Sequence, residues 1–523
     1  MAVGNNNERE ELHRAIWAIA DEMRGAVDGW DFKNYVLGAM FYRYISEDLA
    51  AYIDQGEEEA GNVGFHYAEM ADADAEEARQ GLIEEKGYFI LPSDLFVNVC
   101  ARAADDEDLN ETLEGVFRRI EGSTSGSESE TDFRGLFDDF NVNSNQLGGT
   151  VKLRNKRLVK LLEGVQDMQL GTITGHGIDT FGDAYEYLMT MYASNAGKSG
   201  GEFFTPSDVS ILLTRLGTVG KTSVNKVYDP ACGSGSLLLK SLDILGVDGV
   251  KQGFFGQEIN VTTYNLCRIN MFLHGVGFDR FDIALGDTLT DPKHWDDEPF
   301  ELIVSNPPYS IKWEGKDNPT LINDPRFAPA GVLAPKSKAD LAFILHCLSW
   351  LSPSGTASIV CFPGVMYRGG AEKKIRKFLV DNNYIDAVIQ LPANLFFGTS
   401  IATCIMVLKK NKQDTGILMI DASNEFVKAT NNNRLSDDNI AHIVDAFEKR
   451  EAVEHFAHTA SYDEVVENDY NLSVSTYVEP KDTREQIDIQ ALNAELKTLV
   501  AKEDELRRAI DEIVAEIEGG GDE

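Results

Sequence analysis

The chain has 523 residues, more than one compact core holds, so two or three domains are expected. Its 48 basic and 86 acidic residues leave a net charge of −38. Such a field repels nucleic acid overall and restricts it to a local basic surface or to capture through a basic partner. There is no basic-then-apolar leader and no apolar run near the roughly 20 residues of a membrane helix. The six cysteines (Cys100, Cys232, Cys267, Cys347, Cys361 and Cys404) form no CxxC pair, which argues against a disulfide scaffold and a thiolate zinc site. These features predict a protein of the reducing cytoplasm with no membrane partner.

Residues 8 to about 160 read as helical, because "ELHRAIWAIADEMRG" and "FKNYVLGAMFYRYISEDLAAYI" repeat apolar residues every three or four positions. "GSTSGSESET", 122–131, reads as a flexible joint. From Val224 the pattern becomes short β runs alternating with helical segments. "NKVYDPA", "GFFGQEI", "FDIALGD", "FELIVSN", "TASIVCFP" and "IDAVIQLP" are the strand candidates. That alternation predicts an α/β fold with a doubly wound, mostly parallel sheet. "IATCIMVLKK" follows its predecessor too closely for a helical crossover, so it is placed antiparallel in a final hairpin. From Arg484 to Glu518 one long helix is expected. Leu492, Leu496, Leu499, Leu506, Ile510, Ile513 and Ile517 fall at heptad steps broken only by Glu503. The expected organisation is a helical N-terminal domain (1–165), an α/β domain (166–480) and a C-terminal helix (481–523) that docks a partner as a coiled coil.

"VYDPACGSGSLLLKSL" is a strand, a glycine turn and a helix start. Gly233 and Gly235 let a ligand approach the backbone, and the helix that follows presents unpaired N–H groups. A bare GxG is weak evidence, since the third glycine of the dinucleotide fingerprint is missing. The next two strand candidates strengthen it. One ends at Glu258, suited to accept both hydroxyls of a ribose, and the next at Asp287, suited to accept from an adenine amine. All lie at carboxyl ends of successive strands, where open α/β sheets bind ligands.

"SNPPYS" ends the fourth strand and should face the same crevice. The nitrogen of an aromatic exocyclic amine is a poor nucleophile, because its lone pair is delocalised. The Asn306 side-chain oxygen and the Pro307 carbonyl can each accept one amine hydrogen, drawing the nitrogen toward tetrahedral geometry. Proline fixes the backbone so that both acceptors stand ready, and Tyr309 offers a face for a heterocycle. An electrophilic methyl on a ligand with a ribose and an adenine fits S-adenosylmethionine.

Other chemistries fare less well. "SNAGKSGG" lacks the first glycine of a nucleotide-binding phosphate loop, since Tyr192 stands in its place, and a helix precedes it. "HFAH", 455–458, has two histidines without a third ligand and reads as a helix surface. No metal is expected, and no Pro-Cys pair exists for attack on cytosine C5.

With these motifs, the chain resembles the modification subunits of type I restriction-modification systems, which methylate adenine N6 in DNA. The likeness extends over nearly the whole chain, through "AVDGWDFKNYVLGAMFYRYIS", "GKSGGEFFTPSDV", "YDPACGSGSLLL", "SNPPYS", "GVLAPKSKADLAFILH" and "NDYNLSVSTYV". It implies a methyltransferase-type sheet using S-adenosylmethionine. By that resemblance Glu202, Phe203, Phe204, Thr205, Pro206 and Ser207 line the cofactor's methionine end. Asp229 with Gly233, Ser234, Gly235 and Ser236 would hold the methionine moiety, Glu258 the ribose and Asp287 the adenine. Asn306, Pro307, Pro308 and Tyr309 would carry catalysis, and "LPANLFFGTS" supplies a second aromatic wall, Phe397 or Phe396. Cys232 departs from the Ala more usual in that loop.

The partners implied are double-stranded DNA with a flipped adenine, a specificity subunit that reads the sequence, a second modification subunit and a restriction subunit. "VLAPKSKADL" and "MYRGGAEKKIRKFL" are the densest basic stretches and are assigned to backbone phosphates. The alternative substrates for the same chemistry are a protein glutamine amide and an RNA guanine amine. A scaffold without turnover is disfavoured by the intact Asn306, Pro307 and Tyr309.

Overall fold

The computed structural model describes residues 11–19, 29–170, 180–195, 205–397, 399–429, 432–479 and 489–519. The chain divides into two units, Met1–Glu479 and Pro480–Glu523. The first unit is built on a nine-stranded sheet. Its strands are β1 Val227–Asp229, β2 Phe254–Glu258, β3 Phe281–Leu285, β4 Phe300–Ser305, β5 Leu351–Cys361, β6 Ile385–Gln390, β7 Cys404–Leu408, β8 Ile417–Asp421 and β11 Ala457–Ala460. A separate ribbon pairs β9 Val427–Lys428 with β10 Asn433–Arg434.

The sheet order is β11-β8-β6-β7-β5-β4-β1-β2-β3. The half from β3 to β5 is parallel throughout. Strand β7 is antiparallel to both β5 and β6, as its close spacing predicts. It does not close the sheet, however: β8 and β11 extend it beyond β6. Strands β4 and β1, central in the order, are buried at nearly every residue, which explains unbroken apolar runs such as "FELIVS". Order reverses between β1 and β4, the switch point at which open α/β sheets form a crevice.

The N-terminal half is helical, led by α1 Gly29–Glu59, α2 Leu109–Ser123 and α3 Val151–Asp167. It joins the sheet through α7 Val261–Leu273, reached after α4 Thr180–Asn195, α5 Ser207–Thr218 and α6 Ser236–Leu245. Arg268 of α7 is 1% exposed and donates to the carbonyls of Thr131, Asp132 and Arg134. Asp139 accepts from Thr262 and Asn265, and Phe272 packs on Phe41 and Phe133. A buried guanidinium whose Nη1 donates to three carbonyls and whose Nη2 donates to Asn265 Oδ1 makes this junction specific rather than a loose tether.

Two local readings are corrected here. The segment 122–131 is a packed turn, not a flexible joint, with Thr124 and Ser129 at 0% exposure. Its hydroxyls satisfy backbone groups: Ser123 accepts from Phe89 N–H, and Ser129 donates to Gly87 O. Serine composition signals a linker only where those hydroxyls face water. The histidines of "HFAH" do not share a helix surface. His455 sits in a turn and His458 on β11, where it contacts the Glu464 carboxylate.

The sheet's remaining helices include α8 Asp340–Trp350, α9 Ala371–Asp381 and α10 Asp437–Lys449. In the second unit α11 Ile489–Gly519 is a single helix. Its expected seam is 48–73% exposed from Leu492 to Ile517. No helix among the described residues is long and apolar enough to cross a membrane.

Candidate active site

The carboxyl ends of β1, β2, β3 and β4 surround a cavity of about 590 Å³. Gly233, Glu258, Asp287, Asn306, Pro307, Pro308, Tyr309 and Phe397, all singled out from the sequence, line it. Five segments spread over 164 positions therefore converge on one space: four follow strands of the parallel half-sheet, and the fifth, with Phe397, follows β6.

Below that space the loop after β1 is tightly held. Asp229 is 0% exposed, and its Oδ1 accepts from Ala231 N–H at 3.0 Å and from the Ser305 hydroxyl at 2.8 Å. Its Oδ2 is buried with no hydrogen-bond partner. Burial raises this carboxyl to about 7, against the lowering from those two donors, and Glu258 adds to the rise. Gly235 adopts φ +81°, and a Cβ there would come 2.8 Å from Cys267 Sγ, so the turn requires glycine. Ser234 and Ser236 are buried against each other, and Asn270 donates to the Ser234 carbonyl. Cys232 is buried beside Cys267, as a small core residue.

Glu258 accepts from Gly233 N–H at 3.1 Å and Asn260 N–H at 2.8 Å, which hold its carboxylate at the cavity wall. Burial raises its pKa, opposed by those same backbone donors. Asp287 accepts from Leu289 N–H at 3.0 Å and the Thr290 hydroxyl at 2.9 Å. Thr288 ties the β3 loop to the β1 loop by donating to Pro230 O at 2.5 Å.

At the fourth strand end, Tyr309 Oη donates to Asn306 Oδ1 at 2.5 Å, and Asn306 Nδ2 donates to Thr205 Oγ1 at 3.1 Å. The amide oxygen thus faces the tyrosine hydroxyl, and the amide nitrogen faces the segment that begins α5. Burial, with Cys361, Cys404 and Asp340 adding to it, pushes Tyr309 well above its usual range, so it stays a donor at neutral pH. The residue after it, Ser310, has φ +52°, and both Asp340 oxygens accept from its N–H at 3.1–3.2 Å. Asp340 begins α8 and is buried, so a helix start fixes the exit of the loop. Phe396 is buried and meets Tyr309 edge-on, with ring centroids 6.5 Å apart. Phe397 is half-buried at the cavity wall.

Of the residues singled out before α5, Thr205 reaches Asn306, while Pro206 and Ser207 start the helix. Glu202, Phe203 and Phe204 lie outside the described residues. Sequence reasoning missed Ser305, Thr288 and Asp340. Ser305 adjoins the Asn-Pro-Pro-Tyr run and Thr288 adjoins Asp287, so both could have been found by adjacency. Asp340 lies 30 positions from Ser310, and no spacing signals it.

The arrangement can hold a ligand with a cation near Asp229, polar groups near Glu258 and Asp287, and a flat heterocycle against Tyr309. Comparisons with known proteins show the family. Residues 176–486 match the family model described as N-6 DNA Methylase, and residues 12–165 match the HsdM N-terminal domain. The chain is 48% identical to the type I restriction enzyme MpnII methylase subunit of Mycoplasma pneumoniae, over 98% of this chain and 97% of that protein. The crystal structure of the type I restriction-modification methyltransferase subunit from Streptococcus thermophilus superposes with TM-score 0.81 at 37% identity. That superposition covers 90% of this chain and all of the other. A chain solved in work on complex assembly of the type I system shares the fold, with TM-score 0.61 at 20% identity over 98% of this chain and 99% of the other. The chain belongs to the N-6 DNA methylase family, among the methylase subunits of type I restriction enzymes.

Proposed function

We propose that the cavity transfers a methyl group from S-adenosylmethionine to N6 of an adenine flipped out of DNA. The observation that carries this is one cavity joining the Asn306–Tyr309 acceptor loop to the Gly233, Glu258 and Asp287 strand ends. The donor set fits that cofactor: the unpartnered Asp229 Oδ2 suits an ammonium group, and Glu258 and Asp287 suit ribose hydroxyls and an adenine amine. When bound, S-adenosylmethionine supplies a methyl group on a sulfonium. Glu202, Phe203 and Phe204 are assigned with Thr205–Ser207 to its methionine end, on the family resemblance.

The chain's own residues then prepare the nucleophile. Asn306 Oδ1 and the Pro307 carbonyl accept the two amine hydrogens, localising the nitrogen lone pair. Thr205 fixes which end of the Asn306 amide faces the substrate, and Asp340 fixes the loop's exit. For the amine to reach Asn306, the Tyr309 hydroxyl gives up its bond and its ring becomes one face of the base site. Phe397, half-buried at the wall, is the opposing face, and Phe396 supports Tyr309 from within the core. Stacking worth roughly 1–3 kcal/mol per base offsets part of the flipping cost. The proton lost by the methylated nitrogen passes to water, since neither an amide nor a carbonyl can hold it at neutral pH.

The phosphate assignment moves from the α9 stretch to a basic groove. In α9 and its approach, Lys373 and Lys377 pair with Asp469 and Asp381, and Arg376 is buried on the Tyr470 and Val365 carbonyls. Lys312 and Lys316 instead line a groove of about 760 Å³, and these are the residues assigned to DNA phosphates; Lys336, on the same groove, pairs with Asp317. Against a net charge of −38, two lysines give weak affinity. Recognition therefore falls to a specificity subunit, docked on the α11 seam, with a second copy of this chain and a restriction subunit completing the complex. The reading places the molecule in the cytoplasm and divides it functionally at 1–165, 166–480 and 481–523. The test is Asn306→Ala in the complex: methyl transfer is lost while S-adenosylmethionine still binds. Transfer persisting near the parent rate would contradict it.

A further inference from the structure

His294 lies between β3 and β4, outside the cavity, with a side chain only 2% exposed. Its Nε2 is 2.9 Å from the Gly256 carbonyl of β2. A carbonyl only accepts, so this nitrogen carries a hydrogen. Its Nδ1 faces Asp297 Oδ2 at 3.2 Å and Asp282 Oδ2 at 3.8 Å. Among the described residues neither carboxylate has a lysine or arginine within 4 Å. The three ligand atoms lie within 4.8 Å of one another.

We propose that Asp282, His294 and Asp297 bind a divalent transition-metal ion of the zinc type. Bonds near 2.1 Å at tetrahedral angles separate ligand atoms by roughly 3.4 Å, which falls between the two Nδ1–oxygen distances. The Nε2–H···O=C bond to a strand is the outer contact that fixes the ring and tautomer of a metal-ligating histidine. It presents the Nδ1 lone pair to the same point as two carboxylates. Asp282 is 59% exposed and Asp297 34%, so the fourth position opens to water.

The ion's role is structural. It clamps the connection between β3 and β4, which carries Asp287, onto β3 through Asp282, while the His294 Nε2–H bond to Gly256 O ties it to β2. The Gln257 side chain already holds this connection by donating to Asp291 O and accepting from Lys293 N–H. The site rests on this geometry and not on the methyl-transfer reading, so either can fail alone.

The experiment uses the full chain without a histidine tag, stripped with chelator and titrated with zinc alone against a chromophoric competitor. One zinc per chain is expected, with only nitrogen and oxygen neighbours by X-ray absorption and a raised Tm. Asp282→Asn and Asp297→Asn should each weaken binding by about tenfold or more and abolish the Tm rise. The first of these alters a mostly exposed side chain, so folding is preserved. The proposal is overturned if no stoichiometric zinc binds or if both variants bind as the parent does. It is equally overturned if 15N spectra with zinc present show protons on both His294 ring nitrogens.

Discussion

Replacing Asp229 with Asn separates the electrostatic cost of this buried group from its service to the cofactor. Oδ1 receives both hydrogen bonds, from Ala231 N–H and the Ser305 hydroxyl, so the amide keeps them and places its nitrogen where the unpartnered Oδ2 stood. The carboxyl is raised to about 7 by burial, from an ordinary value near 3.8. An acid whose folded pKa lies above its unfolded one destabilises the fold increasingly as pH rises between those two values. Stability is therefore greatest at low pH in this window and falls until about pH 7. Between pH 5.5 and 7.5 the parent should lose about 2 kcal/mol through this group, at about 1.36 kcal/mol per pH unit. For a unit of this size that is a fall of about 2 °C in Tm, taking about 2.1 cal/mol/K per residue. Differential scanning fluorimetry at the two pH values, parent against variant, reads that difference.

Binding should run the other way. If an ammonium group of S-adenosylmethionine pairs with ionised Asp229, affinity rises about 25-fold from pH 5.5 to 7.5, following the ionised fraction. Equilibrium dialysis of labelled cofactor measures it, and Asp229→Asn should be weak and nearly flat with pH. A parent profile that is flat, or a variant profile that matches the parent's, would refute the assignment of Asp229 to the cofactor.

Other consequences follow from the same contacts. Tyr309→Phe keeps the ring and removes the donor to Asn306, so kcat should stay within about tenfold, whereas Tyr309→Ala should weaken DNA by the roughly 1–3 kcal/mol of lost stacking in a fluorescence-based flipping assay. Asp340→Asn withdraws half of the grip on Ser310 N–H, and kcat should fall while cofactor affinity is unchanged in single-turnover and dialysis measurements. Deleting 484–523 should abolish co-elution with the specificity subunit and leave cofactor binding intact; retained assembly would end the docking role of α11. Arg268→Met strands three carbonyls at the junction of helical region and sheet, and should cost about 3–5 kcal/mol, read as a fall of about 3–5 °C in Tm.

Much of the molecule was legible because parallel strands buried on both faces leave unbroken apolar runs, and because ligand residues follow them directly. That logic placed Gly233, Glu258, Asp287 and Asn306 in one crevice before any coordinates. It also set β7 antiparallel, since the 13 residues between Gln390 and Cys404 hold no crossover helix. The failures have a common cause. Segment 122–131 looked like a linker because composition does not record whether serine hydroxyls face water or backbone. The helix assigned to "HFAH" failed because a two-residue coincidence carries no period. Strands β8 and β11 went unnoticed because they lie among polar loops, without the alternation that marked the parallel half. Asp340 and Arg268 act across long sequence separations, and only the folded chain brings their partners to them.

The central claim is tested most directly by methyl transfer from labelled S-adenosylmethionine to DNA, with the product nucleoside identified. The chain would be assayed alone, with its specificity subunit, and as Asn306→Ala in the same complex. N6-methyladenine formed only with the partner, and lost in the variant, is the predicted result. Label entering protein or RNA, or transfer undiminished in Asn306→Ala, would contradict it.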